Sequence, residues 1–439
     1  MGRTPTELEA VDSTQATALS FGTNISWTLA GNLVYTGCQW GMLVVIAKLG
    51  SPELVGQFAL GLAVTAPIMM LSNLQLRGVL ATDAAEKYAF ADYLSLRLLT
   101  TALALIAMSG VVAVVGYQRE TALVMMAIGL MKALENLSDI AYGFLQHRER
   151  MDRVAHSLIL RGVSAVVAVW LGVYLTGSLL VGCLGVATAW AVVLITYDLR
   201  PARFSTRSHT ESRLVVRPHE QLNWNWTRIA DLALLAAPLG FVMMLISLNV
   251  NIPRYVIQHY SGERSLGIFA AVAYLMIAGT TVVGALGQSA SPRLARCYAR
   301  GDLAGFRRLI LRLIAIGGLV GAAGTSLAVF WGHQILGTLF RPEYADAADV
   351  LVWMMAAAAI GYVASFLGYG LTAARLFKAQ PPLFGTVTAV TTVAALILVP
   401  RYGLVGAAWA VLLGTVAQSL GSGLILWYAV RIQREIPVT

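Results

Sequence analysis

Twelve apolar stretches, spaced along the whole chain, set the first limit on what this sequence can fold into. Their approximate spans are 19–47, 54–76, 94–116, 121–145, 154–176, 178–197, 229–252, 266–289, 309–331, 348–373, 383–400 and 403–430. A helix crossing a hydrocarbon core of ~30 Å needs about 20 such residues, so each stretch reads as a transmembrane helix. Charged residues make up only 12% of the 439, about half the usual ~25% of a soluble domain. An ordinary cytosolic enzyme and a disordered chain are both excluded. The expected fold is an all-α integral membrane protein of about twelve transmembrane helices.

Net charge is +9. In a soluble protein that would suggest nucleic acid, but here the basic residues fall mostly in loops between apolar runs, so no nucleic-acid partner is expected. Counted on alternate connections, 23 Lys and Arg lie on one side and 6 on the other, with Lys132 and Arg161 inside spans. That asymmetry predicts a multi-pass protein with both termini in the cytoplasm. Residues 1–18 are polar, and the first apolar stretch is too long for a signal-peptide core, so it is expected to remain as the first helix. The three cysteines, Cys38, Cys183 and Cys297, are far apart and have no metal-ligand spacing.

The longest polar stretch, 198–228, divides the spans six and six. The predicted organisation is a cytoplasmic tail 1–18, a six-helix lobe 19–197, a cytoplasmic linker 198–228, a second six-helix lobe 229–430 and a tail 431–439. The halves repeat. Val45-Ile46 with Gly56-x-Phe58-Ala59 recurs 211 positions on as Val256-Ile257 with Gly267-x-Phe269-Ala270. Tyr88-Ala89-x-x-Asp92 and Ala189-Trp190-Ala191-Val192 return in the same order as Tyr298-Ala299-x-x-Asp302 and Ala408-Trp409-Ala410-Val411. Six helices per repeat insert both copies the same way up. That predicts a pseudo-two-fold along the membrane normal, with the substrate path between the halves.

Gly-x-Ser-x-Gly, His-Glu-x-x-His and a phosphate-binding loop are all missing, so neither an enzyme nor a cofactor is expected. A carrier driven by ion or substrate gradients fits better than an ATP-driven pump. The informative residues are the ionisable groups at membrane depth, each costly in hydrocarbon. Lys132, Glu135, Asn136 and Asp139 share one face of the fourth span, continued by Tyr142. Lys132–Glu135 and Glu135–Asp139 are spaced to pair along it. The stripe reads either as a self-neutralised packing patch or as a cation-responsive carboxylate pair, Glu135 and Asp139, lining a wet cavity. Arg161 in the fifth span either snorkels to the headgroups or meets an anionic head, for which its planar fork suits phosphate.

Asn249-x-Asn251-x-Pro253-Arg254 closes the seventh span. It reads as an outer-mouth cluster for sugar and phosphate, or as an interfacial anchor. Asn32 and Gln39, with Asn24, Ser26, Trp27 and Tyr35, give the first span an uncharged polar and aromatic set. Such residues suit sugars, although helix–helix packing explains them equally well. Arg293–Arg312 with Phe306 and Leu309–Leu313 is expected to lie on the cytoplasmic leaflet as an amphipathic approach to the ninth span, attracting anionic lipid.

Several segments resemble bacterial polysaccharide transporters, the O-antigen and capsule flippases of the multidrug/oligosaccharidyl-lipid/polysaccharide superfamily. They are the run from Leu49 to Leu60, Asn251-Ile-Pro-Arg-Tyr255, Ser265-Leu-Gly-Ile-Phe269, Pro292-Arg-Leu-Ala295, Leu339-Phe-Arg-Pro-Glu-Tyr344 and Tyr402-Gly-Leu-Val-Gly-Ala-Ala-Trp409. The resemblance implies two six-helix lobes in a V around a cationic cavity in the bacterial inner membrane. It implies an undecaprenyl-diphosphate-linked oligosaccharide flipped by alternating access, with membrane lipids and a polysaccharide polymerase or other assembly proteins as partners. By position, the cations it implies for the diphosphate are Arg161, Arg254 and Lys132. The first span has no acidic residue, unlike the multidrug antiporters of the same superfamily. That departure counts against the alternative of a cation-coupled efflux antiporter, and leaves Glu135 and Asp139 as the deep carboxylates for ion coupling.

Overall fold

The computed structural model describes residues 21–82, 88–148, 150–199 and 224–435. The predicted tail 1–18, most of the 198–228 linker and the last residues of 431–439 lie outside them. The first half is a run of separate rods: α1 (Phe21–Leu49), α2 (Pro52–Asn73) with its short continuation α3 (Leu76–Thr82), α4 (Phe90–Val115), α5 (Arg119–His147), α6 (Met151–Thr176) and α7 (Leu179–Val193). At 1.5 Å per residue the 29 residues of α1 reach ~43 Å, enough to span a bilayer core. Pro52 starts α2 in the first helical turn, where its missing N–H costs nothing. The second half comprises α8 (Trp226–Tyr274), α9 (Met276–Ala299), α10 (Leu303–Leu339), the one-turn α11 (Pro342–Ala345), α12 (Ala348–Ala373) and α13 (Gln380–Glu435).

By length and apolar composition ten of these stretches can cross a membrane. Two of the ten fold back on themselves, which restores the predicted twelve rods. α8 breaks at Gly262 (φ 77°, ψ −177°) and α13 at Gly403 (φ 57°, ψ −131°), conformations open to a residue without Cβ. After Gly403 the two arms run antiparallel: Gly406 abuts Leu398, Gly414 abuts Thr391 and Gly421 abuts Leu383. Side chains such as Val114, Leu234 and Leu319 remain exposed on the outer faces, as a lipid-facing surface requires.

The sequence repeat becomes a contact. Gly56 of α2 lies against the backbone of Glu263, and Gly267 lies against the backbone of Pro52. Both pairs are 211 positions apart from their repeat mates, so the two contacts are the same contact seen from each lobe. A Cβ on either glycine would come within 1.9 Å of the facing carbonyl oxygen. Arg264 then pairs with Glu53 across the lobes at 3.1 Å and with Glu343 at 2.8 Å. Glu263 accepts from Gln57 at 3.1 Å and from Thr121 at 2.5 Å. The lobes are therefore sealed at the end opposite Phe21 and Glu435, the outermost residues of the first and last helices.

Away from that end one seam stays closed. The first arm of α8 runs antiparallel to α2: Tyr255 donates to the Ala63 carbonyl, Gly240 meets Leu71 and Leu74, and Ile229, Leu232 and Ala236 join a core with Leu76, Leu80 and Tyr93. On the other side α1 packs along α6 and α9 along α12, each into its own lobe. Only Val283, Gly287 and Leu294 of α9 are buried. The rods thus form two lobes that meet at one end and along one seam.

Gly56→Val and Gly267→Val each drive a branched side chain into facing backbone. Overpacking of this kind costs ~1–3 kcal/mol, and backbone cannot step aside, so the upper end is expected. Thermal unfolding of the purified variants should show a clear fall in Tm. Wild-type melting would mean that the lobes do not cross there.

Candidate substrate path within and between the lobes

α5 runs through the first lobe with most of its length buried, yet one stripe is not. The side chains of Lys132, Glu135 and Asp139 keep 28%, 29% and 22% exposure, while Met131, Ala133, Ser138 and Ile140 beside them are buried, as is Asn136 of the predicted stripe. The stripe therefore faces open space. Lys132 donates to Glu135 at 2.6 Å, the predicted pair, and Tyr35 of α1 donates to the other carboxylate oxygen at 2.9 Å. The expected Glu135–Asp139 pair is not formed. Like charges repel, and each carboxylate takes its own cations. Asp139 pairs with Arg97 of α4 at 3.3 Å and Arg77 of α3 at 3.4 Å. Asn73 bridges this group, donating to Asn136 at 3.2 Å and Asp139 at 3.4 Å.

Arg97 belongs to the residues that sequence reasoning missed. It lies inside α4 with no exposed surface, and its Nε and Nη1 have no hydrogen-bond partner among the described residues. The available signal was its position within the predicted third span. Asp198, expected to open the linker, is also buried. A π-helical turn, Leu194–Asp198, carries it back under α5 and α6, where Ser138 and Ser157 each donate to it at 2.6 Å. No sequence pattern announced that turn.

Arg161 neither snorkels nor stands on the wall between the lobes. It lies ten residues into α6, 1% exposed, with its guanidinium 4.5 Å over the Trp190 ring. Trp190 in turn donates to the Arg161 carbonyl at 3.0 Å. A desolvated cation–π contact contributes about 2 kcal/mol, which offsets part of the cost of burying the charge. Nε and Nη2 remain without a hydrogen-bond partner among the described residues. Tyr142 extends the group by bonding Ser157 at 2.7 Å.

The amide–arginine cluster of the seventh span is not at a helix end, as the sequence suggested. α8 continues past Pro253 to the break at Gly262, so Arg254 lies ~12 Å inside the rod. A proline is tolerated there because packed neighbours and side chains hold the freed backbone; Asn251 donates to the Ser247 carbonyl at 2.8 Å. Asn249 accepts from Thr391 of α13 at 2.7 Å, tying the second lobe together. Arg254, half-buried, donates to Asn251 at 3.2 Å and has no carboxylate partner among the described residues. Asn32 is exposed on α1 and bonds the Thr28 carbonyl at 2.7 Å, while Gln39 is half-buried one turn beyond Tyr35.

The expected surface approach to the ninth span is also revised. Arg293 and Arg296 finish α9, and α10 runs unbroken from Leu303. Phe306, Ile310 and Leu313 are buried in the second lobe because their 3- and 4-residue spacing gives α10 an inward apolar face.

Twelve membrane-length rods in two lobes, with ion-paired and unpaired cations at membrane depth, define a multi-pass membrane transporter. Residues 21–297 match the family described as polysaccharide biosynthesis protein, and the chain belongs to that family. It is 25% identical to the capsular polysaccharide biosynthesis protein CapF of Staphylococcus aureus over 385 residues, covering 88% of this chain and 94% of that one. Its fold is similar to an inward-facing multidrug resistance MATE transporter of the MOP superfamily, with TM-score 0.69, 13% identity and coverage of 94% and 96%. It is similar also to the lipid II flippase MurJ in an inward closed conformation, with TM-score 0.67, 12% identity and coverage of 92% and 87%.

Removing one partner of a buried ion pair leaves an uncompensated charge. Asp139→Asn should therefore destabilise the first lobe by about 3 kcal/mol, with Arg97→Met in the same chain restoring most of the loss. Melting curves of the single and double variants decide this, and equal melting of the two would remove Arg97–Asp139 from the fold's support.

Proposed function

We propose that this transporter moves an undecaprenyl-diphosphate-linked oligosaccharide from the inner to the outer leaflet of the bacterial cytoplasmic membrane. Both termini lie in the cytoplasm, the six-helix lobes are 19–197 and 229–430, and the 198–228 linker joins them on the cytoplasmic side. The observation that carries the reading is the symmetric seal at the end opposite the termini, with Arg254 unpaired at membrane depth behind it. A cavity closed outside and open inside receives a head group from the inner leaflet. Hydroxyls and diphosphate cannot cross hydrocarbon unsatisfied, so the head moves through the wet path while the polyprenyl tail stays in lipid between the lobes.

Arg254 contacts the diphosphate, and Asn249, Asn251, Asn32 and Gln39 contact sugar. Lys132 supplies a second cation when Glu135 releases it, and Arg161 sets the positive potential from behind the wall. Glu135 and Asp139 respond to the coupling ion through Lys132 and the Arg77–Arg97 pair. The S. aureus relative's name, which places it in capsule synthesis, supports a surface-polysaccharide role, with a polymerase receiving the product. The absence of an acidic residue in α1 separates this reading from drug–cation exchange.

Reconstitution with a defined lipid-linked oligosaccharide, scored by leaflet transfer, tests the reading. Arg254→Ala should lower transfer at least tenfold at unchanged protein level, and unaltered transfer would take Arg254 out of the path. Joining Glu53→Cys to Arg264→Cys with a short bifunctional maleimide should stop transfer altogether. Full transfer in the cross-linked protein would rule out opening at that seal.

A further inference from the structure

At the end of the bundle that carries Phe21 and Glu435, the second lobe holds a basic cavity. Arg293, Arg296, Cys297, Arg300 and Asp302 line a space of about 350 Å³. It adjoins a second space of about 490 Å³ through Arg296, whose far wall is Ala373, Ala374 and Arg375. Arg293, Arg296 and Arg300 fall at i, i+3 and i+7, one face of the last turns of α9. Arg375 follows α12 in the left-handed region (φ 57°), a conformation unfavourable for a residue with a Cβ, and it brings a fourth guanidinium to the adjoining space.

The charge there is unbalanced. Among the described residues none of the four guanidiniums has an ion pair, and Asp302, the single carboxylate of the lining, already accepts the Gly305 N–H at 2.8 Å as the cap of α10. Arg307, Arg308 and Arg312 stand exposed just beyond. The first space is lined by guanidinium forks and the second adds the small apolar faces of Ala295, Ala299, Ala373 and Ala374, and Phe377, two residues beyond Arg375, is exposed as an interfacial aromatic is. The space is thus shaped for a group that is strongly anionic at one end and greasy at the other. Four forks against one carboxylate match a doubly charged diphosphate better than the single charge of a phosphodiester, since each fork engages two oxygens.

We propose that this cavity is a docking site for a lipid-borne diphosphate at the inner leaflet, occupied before the head reaches the path between the lobes. This rests on the flippase reading above and adds to it a site outside the interlobe space. The site captures the diphosphate at the membrane surface, raises its local concentration beside the open seam of α9, and releases it because all four cations stay wet.

Cys297 supplies the test. It is half-buried in the cavity lining, so a ligand seated there shields its thiol. In detergent-purified protein carrying Cys38→Ser and Cys183→Ala, maleimide labelling of Cys297 is followed with undecaprenyl diphosphate, phosphatidylglycerol or inorganic pyrophosphate present. The lipid diphosphate should slow labelling at least fivefold, and the other two probes by less than twofold at the same concentration. Arg296→Gln with Arg300→Gln should abolish the protection while α9 still folds, checked by an unchanged melting curve. Absence of protection, equal protection by phosphatidylglycerol, equal protection by free pyrophosphate, or protection surviving the double variant would each overturn the site. The assay needs no transport: protection without leaflet transfer by the wild type would sink the flippase reading alone, and transfer without protection would sink the site alone.

Discussion

The structure depends on the crossing of two helices at two glycines. In lipid the hydrophobic effect does not drive helices together, so association rests on close packing, and small residues allow it. Gly56 and Gly267 let α2 and the second arm of α8 approach until backbone meets backbone, at the same position in each repeat. The ion pairs around the crossing are exposed and decide little by themselves. They fit there because the helices have already met, and Arg264, held between Glu53 and Glu343, ties the crossing to α11. A repeat that inserts both lobes the same way up puts equivalent glycines at one crossing, and that crossing is the seal.

A seal at one end gives the rest of the architecture its meaning. Each lobe is braced internally: the first by Lys132–Glu135–Tyr35, Arg97–Asp139–Arg77 and Asp198 with its serines, the second by Asn249–Thr391 and the hairpin at Gly403. Such networks hold a lobe rigid because the polar groups within them constrain one another. On the flippase reading, motion is then concentrated where the lobes touch, with the lobes rocking as rigid bodies and the glycine crossing parting when the path opens outward.

The twelve rods and the repeat were legible in the sequence because length, apolarity and loop charge are all read one segment at a time. The offset of 211 paired Gly56 with Gly267 as repeat mates, but did not announce that their helices would cross there. Three things escaped. α8 passes through Pro253, since a proline that breaks an isolated helix is tolerated when packed neighbours supply the bonds; this moved Arg254 from the mouth to the interior. Arg97 and Asp198 sit at the edges of apolar runs, where hydropathy cannot tell a buried charge from a solvated one. Glu135 and Asp139 share a helix face, but which cation each takes depends on α1, α3 and α4, and no local spacing encodes that.

The distribution of unpaired charge, finally, bears on what moves the lobes. A guanidinium without a partner at membrane depth costs several kcal/mol relative to water, and Arg254 carries that cost with a single amide for company. A diphosphate arriving beside it would remove the penalty only while it stays. Such a ligand favours whichever arrangement of the lobes lets the cation and the anion meet, and differential affinity of this kind is the only means by which a ligand shifts a conformational equilibrium. The paired cations, Lys132 and Arg97, offer no such leverage until their carboxylates let go. On the proposed reading, substrate binding and ion coupling would thus act on different arginines and lysines of one path, one by supplying a missing anion and the other by withdrawing a resident one.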